Sequence, residues 1–257
     1  MKLLLVGGGN MGSAMLAGWQ DHQVDVIDPQ PNEIVKQSAK NIFTSLTEVQ
    51  DNYDGIILAV KPQIFPEVLP LLKDKIANAW VLSIAAGKTL QSIAVILGNE
   101  IPLIRAMPNI PALIGQGMTV CVANSHVTQE QKQNVSSLLN AIGDLVWIDD
   151  EEQMHAVTAL SGSGPGYVFA FIEAMEKAGI ANGLSPVLSR KLAIKTVQGA
   201  GAMVLQSDKT PAELREQVTS VKGTTAAALE ILQGDDALDV LVNAAIAAAA
   251  KRSKELA

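Results

Sequence analysis

The sequence predicts an α/β chain: a doubly wound sheet with parallel strands at its heart over residues 1–150, then an all-helical domain over 151–257. Three observations carry this. Short apolar runs alternate with helix-like stretches as far as Asp149. Beyond it, apolar residues keep helical spacing and no strand pattern recurs. Finally, "LLLVGGGNMGSAM" (3–15) sets three consecutive glycines between the first apolar run and the first helix-like one.

Each element has a local reason. Residues 2–6 read as a buried strand, and 10–20 as a helix entered through the glycine turn. "VDVID" (24–28) is a second strand, halted by Pro29 and Pro31, which start a helix. Strands in "YDGIILAV" (53–60) and "AWVLSIA" (79–85) then alternate with helices over 63–73 and 89–97. "IPLIRAM" (101–107) and "GMTVCVA" (117–123) are strands, followed by a helix over 128–142 and the short strand "LVWID" (145–149).

In the second half, breaks are expected at "SGSGPG" (161–166), "ANGLSP" (181–186), "SDKTP" (207–211), "VKG" (221–223) and "QGDD" (233–236). Pro165, Pro186 and Pro211 mark first helical turns, where a missing N–H is tolerated, and "TPAE" (210–213) has capping-box spacing. The helices over 163–181 and 185–206 are apolar on more than one face. Gly199, Ala200, Gly201 and Ala202 let another helix approach closely, from this domain or from a second copy of it.

Composition narrows the function classes. Hydrophobic residues make up 48% and charged ones 18%, which excludes a disordered chain. A net charge of −7 argues against nucleic acid and anionic membrane surfaces as partners. The single cysteine, Cys121, forbids an intrachain disulfide and fits a reducing compartment. "KLLLV" is too short for a secretory signal and "AAIAAAA" (244–250) too short for a membrane span, so a soluble, cytoplasmic protein is expected.

Gly7, Gly9 and Gly12 fit G-x-G-x-x-G, with a strand before, a helix after and an acid closing the next strand. The first glycine permits the tight turn, the second lets backbone approach a pyrophosphate, and the third lets helix and strand pack closely. This is the Rossmann arrangement, with Gly7, Gly8, Gly9, Asn10, Met11 and Gly12 expected against a dinucleotide's pyrophosphate. Asp28 is placed to accept from both ribose hydroxyls and to repel a 2′-phosphate. No Lys or Arg intervenes before Lys36, so of NADH and NADPH the former is favoured. The alternative role for Asp28 is to cap "DPQP" as a turn.

No Ser-His-Asp set can be singled out among the chain's three histidines, His22, His126 and His155, and no Cys/His cluster suggests a metal. His155 reads as a helix-face residue, Cys121 as a buried strand residue, and "DDEE" (149–152) as a solvated helix start. Two small-residue turns stand out, "SGSGPGY" (161–167) and "VTSVKGTT" (218–225). Each precedes a helix and offers N–H groups and hydroxyls to a carboxylate, or else is an ordinary cap.

Several segments together resemble pyrroline-5-carboxylate reductase: "GGGNMGSAM", "ILAVKPQ" (57–63), "LSIAAG" (82–87), "IRAMPNIPALIGQGMT" (104–119), "TALSGSGPGYVFAFIEAM" (158–175) and "QVTSVKGTT" (217–225). The likeness runs nearly end to end. It implies a helical domain that pairs with a second copy's as a homodimer, with assemblies of dimers usual. It also implies hydride transfer from NADH or NADPH to C5 of 1-pyrroline-5-carboxylate, giving L-proline. By the matching motifs, Ala59, Val60, Lys61 and Pro62 line the cofactor, and Asn109 lies beside its nicotinamide end. Ser220, Gly223, Thr224 and Thr225 match the loop for the substrate's carboxylate and ring nitrogen, with Thr225 bonded to nitrogen, and Asp208 matches a nearby acid.

Three positions depart from the family pattern. Its loop reads Ser-Pro-Gly-Gly or Ser-Lys-Gly-Gly, so Lys222 stands where a glycine adopts positive φ cheaply; its ammonium is then a candidate ligand for the carboxylate. Gly166 replaces a common alanine, and Asp28 stands where many relatives carry a neutral residue. Two rival readings exist. One is an enzyme of this architecture acting on another imine or on a 3-hydroxy acid; the hydroxy-acid enzymes would need a catalytic lysine, for which Lys177 and Lys195 lack the context. A cofactor-sensing scaffold would bind dinucleotide without turnover.

Overall fold

The structure, a computed structural model, describes residues 1–49 and 52–256. Its sheet-bearing part runs β1 (Lys2–Val6), α1 (Asn10–Gly18), β2 (Gln23–Ile27), α2 (Glu33–Ser38), β3 (Asn41–Phe43), β4 (Gly55–Leu58) and α3 (Phe65–Leu72). It continues with β5 (Trp80–Ser83), α4 (Leu90–Leu97), β6 (Leu103–Met107), β7 (Gly117–Ala123), α5 (Gln129–Asn140) and β8 (Gly143–Trp147). The strands form one sheet in the order β3-β2-β1-β4-β5-β6-β7-β8. Every neighbouring pair is parallel except β6 with β7.

The side-chain alternation of β1 shows why its sequence is apolar from Leu3 to Val6. Leu3 and Leu5 join a cluster with Met15, Trp19 and Leu82, while Leu4 and Val6 join another with Ile56, Leu58 and Phe65. Successive side chains point to opposite faces, and both faces are covered, so no polar position is left.

Sequence periodicity passes over β3. It is a three-residue edge strand whose residues are not buried, held in register by Asp25 opposite Asn41. The Asp25 carboxylate is buried and accepts from Asn41 Nδ2 (2.7 Å) and the Tyr53 hydroxyl (2.8 Å). That polar network, rather than apolar alternation, fastens the edge.

The helical part comprises α6 (Met154–Val157), α7 (Gly164–Ala181), α8 (Pro186–Leu205), α9 (Pro211–Gln217), α10 (Thr224–Gln233) and α11 (Ala237–Glu255). Pro186 and Pro211 open their helices as expected, and Thr210 with Glu213 forms the capping box. α7 and α8 meet closely: a Cβ on Gly179 would lie 2.8 Å from Ser189 Oγ. Between α10 and α11, Asp235 and Asp236 carry φ of 51° and 54°, which breaks the helix there.

One expected break is narrower than its composition suggests, confined to Ser163. "SGSGPG" is not an open turn: Thr158–Gly162 form a π-helical turn directly after α6, and α7 begins at Gly164. The wider turn keeps carbonyl partners for these amides, as in the Ser163 N–H bond to Thr158 O at 2.8 Å. The segment is therefore a continuous helical passage into the first turn of α7 rather than an open loop.

By internal packing the chain forms two compact units, Met1–Ser163 together with the residues from Ala249 on, and Gly164–Ala248. Within the first, His155 is a residue of α6 as expected, and its helix face is buried, with Nδ1 3.0 Å from Ser253 Oγ. Glu151 is not a solvated acid. Its Oε1 accepts from Arg105 Nη1 (2.8 Å) and from the backbone N–H of Leu90 (2.9 Å) at the start of α4.

Candidate active site

The glycine turn joins β1 to α1, and its glycines divide into two kinds. Gly7 has φ of +100°, and a Cβ there would lie 2.6 Å from Ala59 O. A Cβ on Gly12 would collide with the Gly7 carbonyl. Both are required by the closeness of strand and helix. Gly9 is different: nothing lies within 4 Å of the Cβ it lacks.

Gly9 is also the N-cap of α1, with no side-chain cap and no acid in the first turn. The first intrahelical bond runs from Ser13 N–H to Gly9 O (2.8 Å). Helix geometry leaves the N–H groups of Asn10, Met11 and Gly12 without intrahelical partners at the positive end of the helix dipole. Bare backbone facing open space at such an end fits a diphosphate.

A cleft of about 470 Å³ opens beside this turn, lined by Gly7, Gly9, Asp28, Thr44, Ala59 and Lys61 among others. Asp28 is bonded from two sides: its Oδ2 accepts the Gly8 N–H and its Oδ1 the Gln30 N–H, both at 2.8 Å. It is thus a turn cap and a cleft residue at once. An ionised carboxylate has about four acceptor sites, so capacity for ribose hydroxyls is left over. Val60 borders Gly7, and Lys61 caps the short turn begun by Pro62, so the segment after β4 forms the far wall. Lys61 is the basic residue among the cleft's described lining residues.

Asn109 follows β6 and is partly buried. Its Oδ1 accepts the Met118 N–H (2.9 Å), and its Nδ2 lies 3.3 Å from both the carbonyl oxygen and the hydroxyl of Ser161. Ser161 and the Arg105–Glu151 pair were not singled out by sequence reasoning. The only signal for them was their place inside "IRAMPNIP", "SGSGP" and "DDEE". Cys121 is fully buried, and burial pushes its thiol pKa strongly upward, which makes it inert.

In the Gly164–Ala248 unit, Ser220, Lys222 and Gly223 form the turn between α9 and α10, and Thr224 and Thr225 are the first residues of α10. The Gly223 N–H bonds Ser220 O at 2.9 Å, and a Cβ on Gly223 would collide with Ser220 Oγ. Lys222 does adopt φ of +57°, the conformation glycine takes cheaply. Asp208 is exposed in the turn before α9, and among the described residues no hydrogen bond joins it to the 218–225 loop. The described residues also hold no group of three or more His, Cys, Asp or Glu suited to a metal ion. No described helix is long and apolar enough to cross a membrane.

Comparison with known proteins adds what geometry alone does not give. Residues 151–256 match the family model described as pyrroline-5-carboxylate reductase dimerisation, and residues 2–87 match NADP oxidoreductase coenzyme F420-dependent. Pyrroline-5-carboxylate reductase of Pseudomonas aeruginosa is 38% identical over 265 residues, covering 100% of this chain and 97% of the relative. The chain belongs to the pyrroline-5-carboxylate reductase family.

Solved structures agree with this placement. The pyrroline-5-carboxylate reductase of Coxiella burnetii matches with a TM-score of 0.93 at 32% identity, covering 99% of this chain and 98% of the other. A Plasmodium falciparum pyrroline carboxylate reductase with NADP bound matches at 0.88 and 32%, covering 100% and 98%. As a reductase of this family the chain has its dimerisation segment where α7 and α8 leave Phe169, Phe171 and Val187 exposed. Apolar side chains so displayed suit a homo-oligomer.

Proposed function

We propose that this chain reduces 1-pyrroline-5-carboxylate to L-proline, with its own residues in the roles the family motifs assign. The observation that carries the reading is the pairing of an unobstructed Gly9 at a helix N-terminus with family identity over the whole chain. When bound, NADH or NADPH supplies the hydride. The first turn of α1 holds the diphosphate, Asp28 accepts from the adenosine ribose, and Ala59 to Pro62 wall the cleft. The Asp28 carboxylate repels a 2′-phosphate, which favours NADH.

The turn before α10 takes the substrate carboxylate. Ser220 and the unpaired N–H groups at the helix start donate to it, and the exposed Lys222 ammonium adds a charge. Thr225 donates to the ring nitrogen of the imine; as the C=N bond becomes CH–NH, C5 takes the hydride and nitrogen takes a proton, which comes from solvent by way of the Thr225 hydroxyl. Most of the acceleration comes from holding the two reacting carbons together. The functional unit is a homodimer or an assembly of dimers acting on a small molecule.

Thr225→Ala is the direct test of the assigned role. Turnover is expected to fall by roughly ten- to a hundredfold, as for loss of one hydrogen bond to a group that carries charge. Unchanged turnover in a folded variant removes Thr225 from the chemistry. Lys222→Gly tests the added charge: an unchanged substrate KM would show that the ammonium plays no part.

A further inference from the structure

We infer that Ser161 contacts the cofactor, donating its hydroxyl to the carboxamide oxygen of the nicotinamide, with Asn109 as its positioning residue. The inference rests on the dinucleotide reading above. It begins with the orientation of the Asn109 amide. The Met118 N–H can only donate, so the Asn109 atom 2.9 Å from it is the carbonyl oxygen. Nδ2 therefore faces Ser161 and donates to its Oγ. A hydroxyl that accepts from Nδ2 keeps its own proton for another acceptor, and among the described residues no other hydrogen bond uses Ser161 Oγ.

The surroundings hold this donor in place. Ser161 lies in the Thr158–Gly162 π-helical turn, a rare form that recurs at functional sites. The turn is pinned at both ends: Thr158 Oγ1 donates to Met154 O (2.7 Å), and a Cβ on Gly162 would come within 2.5 Å of Met107 Cε. Met107 ends β6.

Asn109 thus sits at the carboxyl edge of the parallel strands, as do Ala59–Pro62 after β4 and the residues after β5. Ligands of open α/β sheets lie along that edge. With the ribose at Asp28 beside β2 and the diphosphate at α1 beside β1, the remaining half of the dinucleotide runs over β4 toward β5 and β6. Ser161, its proton unspent, is bonded to Asn109 at that edge, and the carboxamide oxygen is the acceptor of the nicotinamide itself, whereas the ribose hydroxyls of that half are also present in ADP-ribose.

Calorimetric titration of the full chain with NADH, NADPH and ADP-ribose tests this, since ADP-ribose lacks the nicotinamide. Ser161→Ala is expected to weaken binding of the reduced dinucleotides roughly three- to tenfold, as for one net hydrogen bond, and to leave ADP-ribose unchanged. Asn109→Asp keeps an acceptor for Met118 but turns an acceptor toward Ser161, so the hydroxyl is captured by the carboxylate. It should give the same selective loss, and the double variant should be no weaker than either single one. Unchanged dinucleotide affinity in Ser161→Ala, equal loss for ADP-ribose, or additive losses would overturn the assignment. A wild-type chain that binds none of the three ligands would remove the dinucleotide site itself, and this proposal with it.

Discussion

A glycine can be required by its neighbours or by a ligand, and the turn after β1 holds both kinds. Gly12 packs against the Gly7 carbonyl, so Gly12→Ala must displace backbone; about 1–3 kcal/mol of stability should be lost in denaturant unfolding. Gly9→Ala meets nothing in the folded chain and should leave the unfolding midpoint unchanged. The same methyl would stand where backbone approaches the diphosphate, so dinucleotide affinity should fall about tenfold or more. Equal effects of the two variants on stability would contradict this division. Lys222 belongs to the same scale: a non-glycine residue at φ of +57° carries a conformational cost that only the turn geometry explains.

Among the elements, the ends decide more than the middles. Glu151 joins Arg105 of β6 to the first amide of α4, and the Arg105 side chain is only 3% exposed. Glu151→Ala leaves that guanidinium buried without its partner, and unfolding stability should drop by roughly 3–5 kcal/mol. The two capping boxes should differ in their response to acid. In α9 the backbone N–H of Thr210, and then its hydroxyl, hold the Glu213 carboxyl below the usual carboxylate range. A carboxyl so lowered binds its proton less readily when folded. The cap therefore contributes above the ordinary glutamate pKa and is lost as pH falls through the lowered value. In α5 the partner of Thr128 is Gln131, which does not titrate. The Thr210 amide, which donates to Glu213, should shift as that carboxyl takes its proton, with a midpoint below the ordinary glutamate range; a Thr210 amide that does not move would contradict the assignment.

The same scale shows what was legible in the sequence. Long apolar runs such as "KLLLV" and "GIIL" announce strands covered on both faces, and proline with a capping box announces α9. β3 was invisible because three residues at an unburied edge have no apolar face to display. The π-helical turn was misread because Ser and Gly suit loops, while here the amides find carbonyl partners and Gly162 admits Met107. Of the cleft residues, Gly7, Gly9 and Asp28 were legible from spacing, since glycine and aspartate have position-specific reasons to be there, while Ala59, Val60 and Lys61 were reached only through the family resemblance. Ser161 and Glu151 were not legible, because their partners lie about fifty residues away in sequence.

For the molecule as a whole, the helical segment carries the apolar surface that suits a homo-oligomer. Gly199 and Gly201 have nothing within 4 Å of a Cβ, and Val187, Leu192 and Phe171 are exposed on α7 and α8. The chain that matches a dimerisation family should therefore sediment as a dimer or a multiple of one at micromolar concentration. A sedimentation coefficient of the monomer throughout that range would contradict this.

The most direct test of the central claim follows nicotinamide absorbance while 1-pyrroline-5-carboxylate is added to the protein with NADH and, in parallel, NADPH. Substrate-dependent oxidation with matching formation of proline is the expected result, faster with NADH if Asp28 decides. A folded protein that binds dinucleotide but oxidises neither cofactor when the imine is present would contradict the account.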